Sequence, residues 1–325
     1  MCGIIVALSE NGPIDRRNFD CARDKLFRRG PDAAGSVFLQ NDYVALGHRR
    51  LSILDLSQAA NQPMQLGSLW VTYNGEIYNY PELRKELEKK GCVFRTHTDT
   101  EVLLHGYKVW GQKLCDHLSG MFAFAIWNEE SSELFLGRDH IGQKPLFFAR
   151  FSGLFIVASE IKAIRPLTQQ QLHLRQESIL DYMIFDYVPE PFTWYQEVQC
   201  LLPGHSMVVS KEGDGFVTTT KEYWNFVPDP DPRPISTEEA MERMAFEIES
   251  AVKSHLLADV EVGALLSGGA DSSCVVALAS KHNDKPINTF SIGFGASDED
   301  ELPLARQTAL MVGAVHRERI VNADQ

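Results

Sequence analysis

Met1-Cys2-Gly3-Ile4-Ile5-Val6 opens the chain, and the reading of its second residue decides how the rest is understood. A cysteine directly behind the initiator Met becomes the N-terminal residue once that Met is removed, which a small second residue permits. Thiol and α-amine then stand on one residue. An α-amine has a pKa of about 7.7–8.0, so near neutrality it can take the thiol proton without a separate histidine. That is the arrangement of an N-terminal nucleophile. Taken alone, a cysteine at this position reads as a small apolar residue opening a strand, and the remainder of the chain reverses that reading.

The composition is that of a globular protein: 325 residues, 44% hydrophobic and 23% charged, a length that fits about two domains. A net charge of −13 argues against nucleic acid or an anionic membrane as partner. Cys2, Cys21, Cys92, Cys115, Cys200 and Cys274 lie far apart, with no Cys-x-x-Cys pair and no His cluster at metal-ligand spacing. Neither a disulfide framework nor a zinc site is indicated, so a reducing cytoplasm is expected. No basic segment leads into a long apolar run, and no apolar stretch is long enough to span a bilayer.

Working outward from the first strand, short apolar or alternating runs predict strands at Cys2–Leu8, Leu69–Tyr73, Met121–Trp127, Leu134–Gly137 and Leu154–Ala158. Helices are predicted over Asp15–Phe27 and Pro81–Lys90, with a third following Asp99 as its cap. Many strands with a few segregated helices point to stacked sheet and helix layers. At Asn225–Pro234, four prolines alternate with acidic residues, and a linker is expected over 225–235. Beyond it the pattern alternates: helix Thr237–Leu257, strand Val260–Leu266, helix Asp271–Lys281, strand Pro286–Phe294, helix Leu302–Val312, strand Val315–Val321. That alternation predicts a parallel sheet wound with helices. The expected domains are therefore 1–224 and 236–325.

Within the second region, Val262-Gly263-Ala264-Leu265-Leu266 runs into Ser267-Gly268-Gly269-Ala270-Asp271-Ser272-Ser273 and then a helix. Two glycines let the backbone approach an anion, and the helix N-terminus points its amides and dipole at a phosphate. Asp271 suits a Mg²⁺ held between it and the phosphates. There is no Gly-Lys-Ser/Thr, so this is not a Walker loop and γ-phosphate transfer is not expected.

At this point the chain resembles the glutamine-dependent asparagine synthetases, class II glutamine amidotransferases with an ATP-pyrophosphatase domain. The resemblance rests on Met1-Cys2-Gly3-Ile4, Arg29-Gly30-Pro31-Asp32, Arg50-Leu51-Ser52-Ile53-Leu54-Asp55, Asn74-Gly75-Glu76-Ile77-Tyr78-Asn79 and Thr98-Asp99-Thr100-Glu101. It continues through Gly120–Ala125, Gly137-Arg138-Asp139, Pro145-Leu146, Ala158–Ala163 and the loop Ser267–Ser272. It implies an α+β first domain with the four-layer αββα N-terminal-nucleophile hydrolase fold, followed by the start of a Rossmann-like α/β nucleotide-binding domain. It also implies that Cys2 attacks the side-chain amide of glutamine, with Asn74 and the Gly75 N–H as oxyanion hole. Arg50 would grip the substrate α-carboxylate, Glu76 and Asp99 its α-ammonium, and Leu51, Ser52, Ile53 and Leu54 would complete the glutamine site. ATP would lie on Leu265, Ser267, Gly268, Gly269, Asp271, Ser272 and Ile292, with Mg²⁺ on Asp271 through the pyrophosphate. Ammonia would pass to an adenylated carboxylate, that of aspartate or of another acceptor such as a sugar acid. A homodimer is compatible with the family.

The chain departs from the family pattern twice. Ala270 stands where leucine is usual, and the chain stops at Gln325, short of the family's acceptor-binding residues. A fragment of a longer protein is the expected explanation, because a parallel sheet of three strands leaves an apolar edge. A stand-alone glutaminase or a regulatory glutamine-binding module are the other readings if the chain ends there.

Overall fold

The computed structural model describes residues 1–325 except 152, 169, 214, 229–233, 295–300 and 322–325. The chain divides into two compact units, Met1–Val227 and Pro228–Gln325. The middle of the expected linker, 229–233, lies outside the described residues.

The described residues of the first unit form twelve strands: β1 (Gly3–Ser9), β2 (Ala33–Leu39), β3 (Val44–Arg50), β4 (Met64–Leu66), β5 (Leu69–Ile77), β6 (Gly120–Asn128), β7 (Glu133–Arg138), β8 (Phe147–Phe151), β9 (Leu154–Ala158), β10 (Val198–Cys200), β11 (His205–Glu212) and β12 (Gly215–Glu222). Its helices are α1 (Arg16–Asp24), α2 (Tyr80–Lys89), α3 (Asp99–Trp110) and α4 (Glu177–Phe185). The strands form two six-stranded antiparallel sheets, ordered β10-β8-β9-β1-β3-β2 and β12-β11-β7-β6-β5-β4.

Strand alternation explains the layering. Ile4, Val6 and Leu8 leave one face of β1 and pack with Ala123, Ala125, Trp127, Leu134 and Leu136 of the second sheet. Ile5 and Ala7 leave the other face and meet Phe19, Ala22 and Leu26 in and beside α1. The outer face of the second sheet, with Val71, Tyr73, Ile77, Phe122, Phe124 and Phe135, is covered by Leu83 and Leu87 of α2 and Val102, Leu103 and Leu104 of α3. Helix, sheet, sheet and helix thus stack as the four-layer αββα N-terminal-nucleophile hydrolase fold.

Several expectations need correction. The helix expected over Asp15–Phe27 is regular over Arg16–Asp24 only, with Asp15 as its cap accepting from Asn18 N at 2.7 Å. Asp99 does not cap α3. Thr98 does, accepting from the Thr100 amide at 3.2 Å, while the Asp99 carboxylate turns into the protein toward Tyr73 and Ile77. Strands β2 and β3 escaped the sequence reading because β3 ends in His48-Arg49-Arg50, yet all seven of its residues are buried.

The second unit contains α5 (Thr237–His255), β13 (Gly263–Leu265), α6 (Ala270–Lys281), β14 (Asn288–Gly293), α7 (Leu302–Val312) and β15 (Val315–Ile320). Its strands are parallel in the order β13-β14-β15. Strand β13 is shorter than the Val260–Leu266 expected, and Val252, Leu266, Val276, Ile287, Ala305 and Ala309 make the core.

Phe124 is fully buried between the second sheet and α3. Phe124→Ala is expected to lower the stability of the first unit by about 3–5 kcal/mol. Denaturant unfolding read by tryptophan fluorescence checks this, and a loss below ~1 kcal/mol would contradict the packing described.

Candidate active site and nucleotide loop

Cys2 sits at the start of β1, a central strand of the first sheet, and its position is set by backbone contacts. Its thiol donates to the Leu51 carbonyl at 3.6 Å and accepts from the Leu51 amide at 3.4 Å. Its own carbonyl accepts from Arg29 Nε at 2.8 Å, and Arg29 is tied to Glu160 at 3.1 Å. Ser159 accepts the Ile4 amide at 3.0 Å. The motifs Arg29–Asp32 and Ala158–Ala163 therefore clamp the first strand from two sides, a role the sequence reading did not assign them.

The thiol opens on a cavity of about 100 Å³. Its walls include Cys2, Arg50, Leu51, Ile53, Leu54, Asn74, Gly75, Glu76 and Asp99 from the expected set. Ser52 is not among them. Its amide instead donates to Asp32 at 2.8 Å, which fixes the loop after β3. Gln62, Tyr73, Thr98, Thr100, Met121 and Lys144 line the cavity without having been expected. Of these, Gln62 and Tyr73 carry no motif signal, and Lys144 stands next to the quoted Pro145-Leu146.

On β5, Asn74 and Glu76 alternate with Tyr73, Gly75 and Ile77, so Tyr73 and Ile77 pack toward α3 while Asn74 and Glu76 leave the opposite face. Asn74 is 1% exposed, and among the described residues neither its Nδ2 nor its Oδ1 has a hydrogen-bond partner. An unpaired buried amide costs about 1–3 kcal/mol per group, a cost that structures retain where function uses it. Gly75 cannot carry a side chain: a Cβ there would lie 2.1 Å from the Met121 carbonyl oxygen of β6. Asp99 accepts from Tyr73 Oη at 2.8 Å and from the Ile77 amide at 3.0 Å. Gln62 completes this network, accepting the Tyr73 amide at 2.7 Å and donating to Thr100 at 3.1 Å.

Arg50 reaches the cavity with much of its guanidinium engaged. Nη1 donates to Ser57 O and Asn61 Oδ1, both at 2.8 Å, and Nη2 donates to the carbonyls of Leu54 and Asp55. It therefore organises the 51–61 loop around the cavity.

Burial dominates the electrostatics. It raises the Cys2 thiol, which the Leu51 amide, the terminal amine and Arg50 pull back. It lowers the α-amine of residue 1 in the same pocket. It raises Asp99, against hydrogen bonds from Ile77, Tyr73 and Thr98. Glu76 is raised by burial and then by Asp99. Thiol and Met1 amine are thus both pushed toward their neutral forms, and two carboxylates share one pocket, where the Asp99 charge adds to the burial that raises Glu76.

In the second unit, the loop after β13 leads into α6 at the C-terminal ends of the parallel strands, where open α/β sheets bind ligands. Gly268 has φ +89°, a conformation suited to glycine. The Ser267 and Ser272 hydroxyls lie 3.0 Å apart, and Gly269 N donates to Ser267 Oγ at 3.3 Å. Among the described residues no side chain caps α6, which leaves its first-turn amides for a ligand. Asp271 is in that turn, and Leu265 and Ile292 are exposed at the ends of adjacent strands. Among the described residues no three His, Cys, Asp or Glu side chains group to hold a metal. A cation here would draw its other ligands from phosphates, as Mg²⁺ does. The loop's small side chains, first-turn amides and single nearby acid fit a nucleotide phosphate with its cation.

A layered αββα fold with a cysteine at the head of a central strand, on the same cavity as a buried asparagine amide, is the architecture of the N-terminal-nucleophile hydrolase fold. Within it, the glutamine amidotransferase domain family matches residues 1–224, and the chain belongs to that family. The asparagine synthase family matches residues 244–325. The chain is 36% identical over 308 residues to "Asparagine synthetase [glutamine-hydrolyzing] 1" of Bacillus subtilis, covering 92% of this chain and 46% of the relative. It is 37% identical over 313 residues to a putative asparagine synthetase of Mycobacterium tuberculosis, covering 91% and 47%. It is 33% identical over 311 residues to "Amidase chyE" of Penicillium rubens, covering 89% and 44%. The chain spans about half the length of these curated relatives. A solved structure titled as the allosteric regulatory enzyme of purine biosynthesis aligns with TM-score 0.52 at 16% identity, over 98% of this chain and 80% of that one, and shares the fold. Among the described residues no helix is long and apolar enough to cross a membrane.

Glu76→Gln tests the electrostatics. A folded-state carboxyl raised above its unfolded value costs stability above its folded pKa, and that cost disappears below the unfolded pKa. The substitution is expected to raise the unfolding midpoint at pH 7, with the gain closing as the pH falls to about 4. A midpoint lowered at pH 7 would contradict the assignment.

Proposed function

We propose that this chain carries the glutaminase and nucleotide-loop parts of a glutamine-hydrolysing asparagine synthetase. The observation that carries the reading is Asn74: a buried side-chain amide with no partner among the described residues, on the wall of the cavity that the Cys2 thiol opens on. Removal of Met1 makes the α-amine that of Cys2, and that amine takes the thiol proton. The thiolate attacks the glutamine side-chain carbonyl carbon. Asn74 Nδ2–H and the Gly75 N–H donate to the oxygen that becomes negative, where fixed donors stabilise the transition state more than the substrate. Collapse expels ammonia, which takes the proton back from the α-ammonium and leaves a γ-glutamyl thioester. Water then hydrolyses the thioester to glutamate and restores the thiol.

Glutamine enters as a zwitterion. Glu76 and Asp99 would meet its α-ammonium. For its α-carboxylate, Arg50 would exchange one of its loop carbonyls for the substrate. At the second site the aspartate side-chain carboxylate attacks the α-phosphorus of ATP, releasing pyrophosphate. Ammonia then attacks the acyl-adenylate and displaces AMP. Ser267, Gly268, Gly269 and Ser272 would hold the pyrophosphate and Leu265 and Ile292 the adenosine. Mg²⁺, when bound, would sit on Asp271 and neutralise phosphate charge. The same two half-reactions serve another carboxylate acceptor equally, since none of the residues named here binds the acceptor. A cytoplasmic location and a homodimer belong to the same proposal.

Cys2→Ala is expected to abolish glutamine hydrolysis, and Asn74→Ala to lower its kcat about 10²–10³-fold with little change in KM. Steady-state glutamate release measures both, and an Asn74→Ala protein of normal kcat would overturn the oxyanion-hole assignment. Asp271→Ala is expected to remove ATP–pyrophosphate exchange while glutamine hydrolysis continues. Undiminished exchange would exclude the Ser267–Ser272 loop as the phosphate site.

A further inference from the structure

The motif Gly137-Arg138-Asp139 has no part in the chemistry above, yet its two charged side chains converge on the backbone of one residue, Lys144. The Lys144 amide donates to Asp139 Oδ2 at 2.9 Å, and the Lys144 carbonyl accepts from Arg138 Nε at 2.9 Å. Asp139 is fully buried and also accepts the Gln143 amide at 2.8 Å. Arg138 is braced by two hydrogen bonds to Glu190, at 2.7 and 2.9 Å. Both backbone polar groups of Lys144 are thus gripped, and its side chain lines the cavity shared by Cys2, Glu76 and Asp99. Lys144 is 7% exposed, and among the described residues none accepts a hydrogen bond from its ammonium or forms an ion pair with it. Arg50, by contrast, spends Nη1 and Nη2 on its own loop.

We propose that Lys144 is a positioning residue of this cavity, its ammonium holding the Glu76 carboxylate in the charged form that receives the α-ammonium of glutamine. The proposal rests on the glutaminase reading and deepens it. A buried, structurally clamped lysine without a protein hydrogen bond is costly unless its charge is used, and the Glu76 carboxylate on the same cavity needs a counter-charge before substrate arrives. The groups around Glu76 are Asp99 from α3, Arg50 from β3, and the Cys2 thiol and terminal amine at the head of β1. The Tyr73 and Tyr78 hydroxyls and Lys144 stand with them, and Arg29 and Asp139 act on Lys144. Burial and Asp99 raise Glu76, while Lys144 and, to a smaller extent, the Met1 amine lower it. Burial lowers the Lys144 amine, and Glu76 and Asp139 push it back up. Loss of the Lys144 charge therefore raises Glu76 further, and glutamine binding fails at a higher pH on the acid side. Above that range Glu76 is charged with or without Lys144, and the substrate ammonium replaces it as counter-ion.

The test is glutamine affinity by calorimetry from about pH 5 to 8.5 in Cys2→Ala protein, which does not turn over. The variants compared carry Lys144, Lys144→Met or Lys144→Arg. Lys144→Met is expected to shift the acid limb up by about one pH unit, an affinity loss of about tenfold below the limb, and to converge with the parent near pH 8.5. Lys144→Arg is expected to restore the limb. Superimposable profiles, or an equal loss at every pH, would overturn the role of Lys144 alone. Absence of glutamine binding by the Lys144 protein at every pH would overturn the glutaminase reading and this proposal with it.

Discussion

The face-to-face packing of two antiparallel sheets is the constraint on which the site depends. Because β1 is central in its sheet and buried on both faces, its backbone has one register, Gly3 opposite Arg49 and Ile5 opposite Gly47. A slip of one residue would turn Ile4, Val6 and Leu8 away from the second sheet and carry Cys2 out of reach of Leu51. The same packing sets Asn74 and Glu76 on a face of β5 that β1 approaches, and Thr72 of β5 donates across the gap to Gly47 of β3 at 3.1 Å. The hydrophobic term that holds the sheets together is therefore also what positions the Cys2 thiol. The geometry of the cavity costs little extra order, since Cys2, Asn74 and Glu76 lie on or beside strands already fixed by the core.

Within that frame the cavity is electrostatically strained. A thiol raised by burial, an amine lowered by it and two acids raised by it all meet in one small space. Each shift points toward the neutral form of its group, as a low-dielectric pocket dictates. A zwitterionic substrate changes that balance, because its ammonium and carboxylate supply the charges the pocket lacks. The unpaired Asn74 amide adds an unmet demand for an acceptor. The stability forfeited in the empty pocket is the reservoir from which selective binding of glutamine would draw.

The architecture of the first unit was legible where apolar alternation was strong, as in Leu134–Gly137 and Leu154–Ala158, and in the second unit where helices and strands alternate. It was illegible where charge is buried. Strand β3 looks polar at His48-Arg49-Arg50, but His48 meets the Tyr73 carbonyl at 3.0 Å and Arg49 the Gly30 carbonyl at 2.9 Å. Backbone carbonyls distant in sequence make those burials tolerable, and no local pattern announces them. Much of the cavity wall was legible through motifs that lie far apart in the chain. Gln62, Tyr73 and Lys144 were not, because their place depends on tertiary contacts: Gln62 with Tyr73 and Thr100, Lys144 with Arg138 and Asp139. Asp99 was read as a helix cap, the usual use of an acid at that point. Its side chain is instead drawn to a buried phenol and a strand amide.

The central claim is that residue 2 is the N-terminal nucleophile of a glutaminase. Acid-quench mass spectrometry of the N-terminal peptide, taken during glutamine turnover, tests it most directly. The account predicts a peptide beginning at Cys2, without Met1, that carries a γ-glutamyl group on the thiol. A peptide that still begins with Met1 in protein actively hydrolysing glutamine, or a glutamyl group on any other residue, would contradict it.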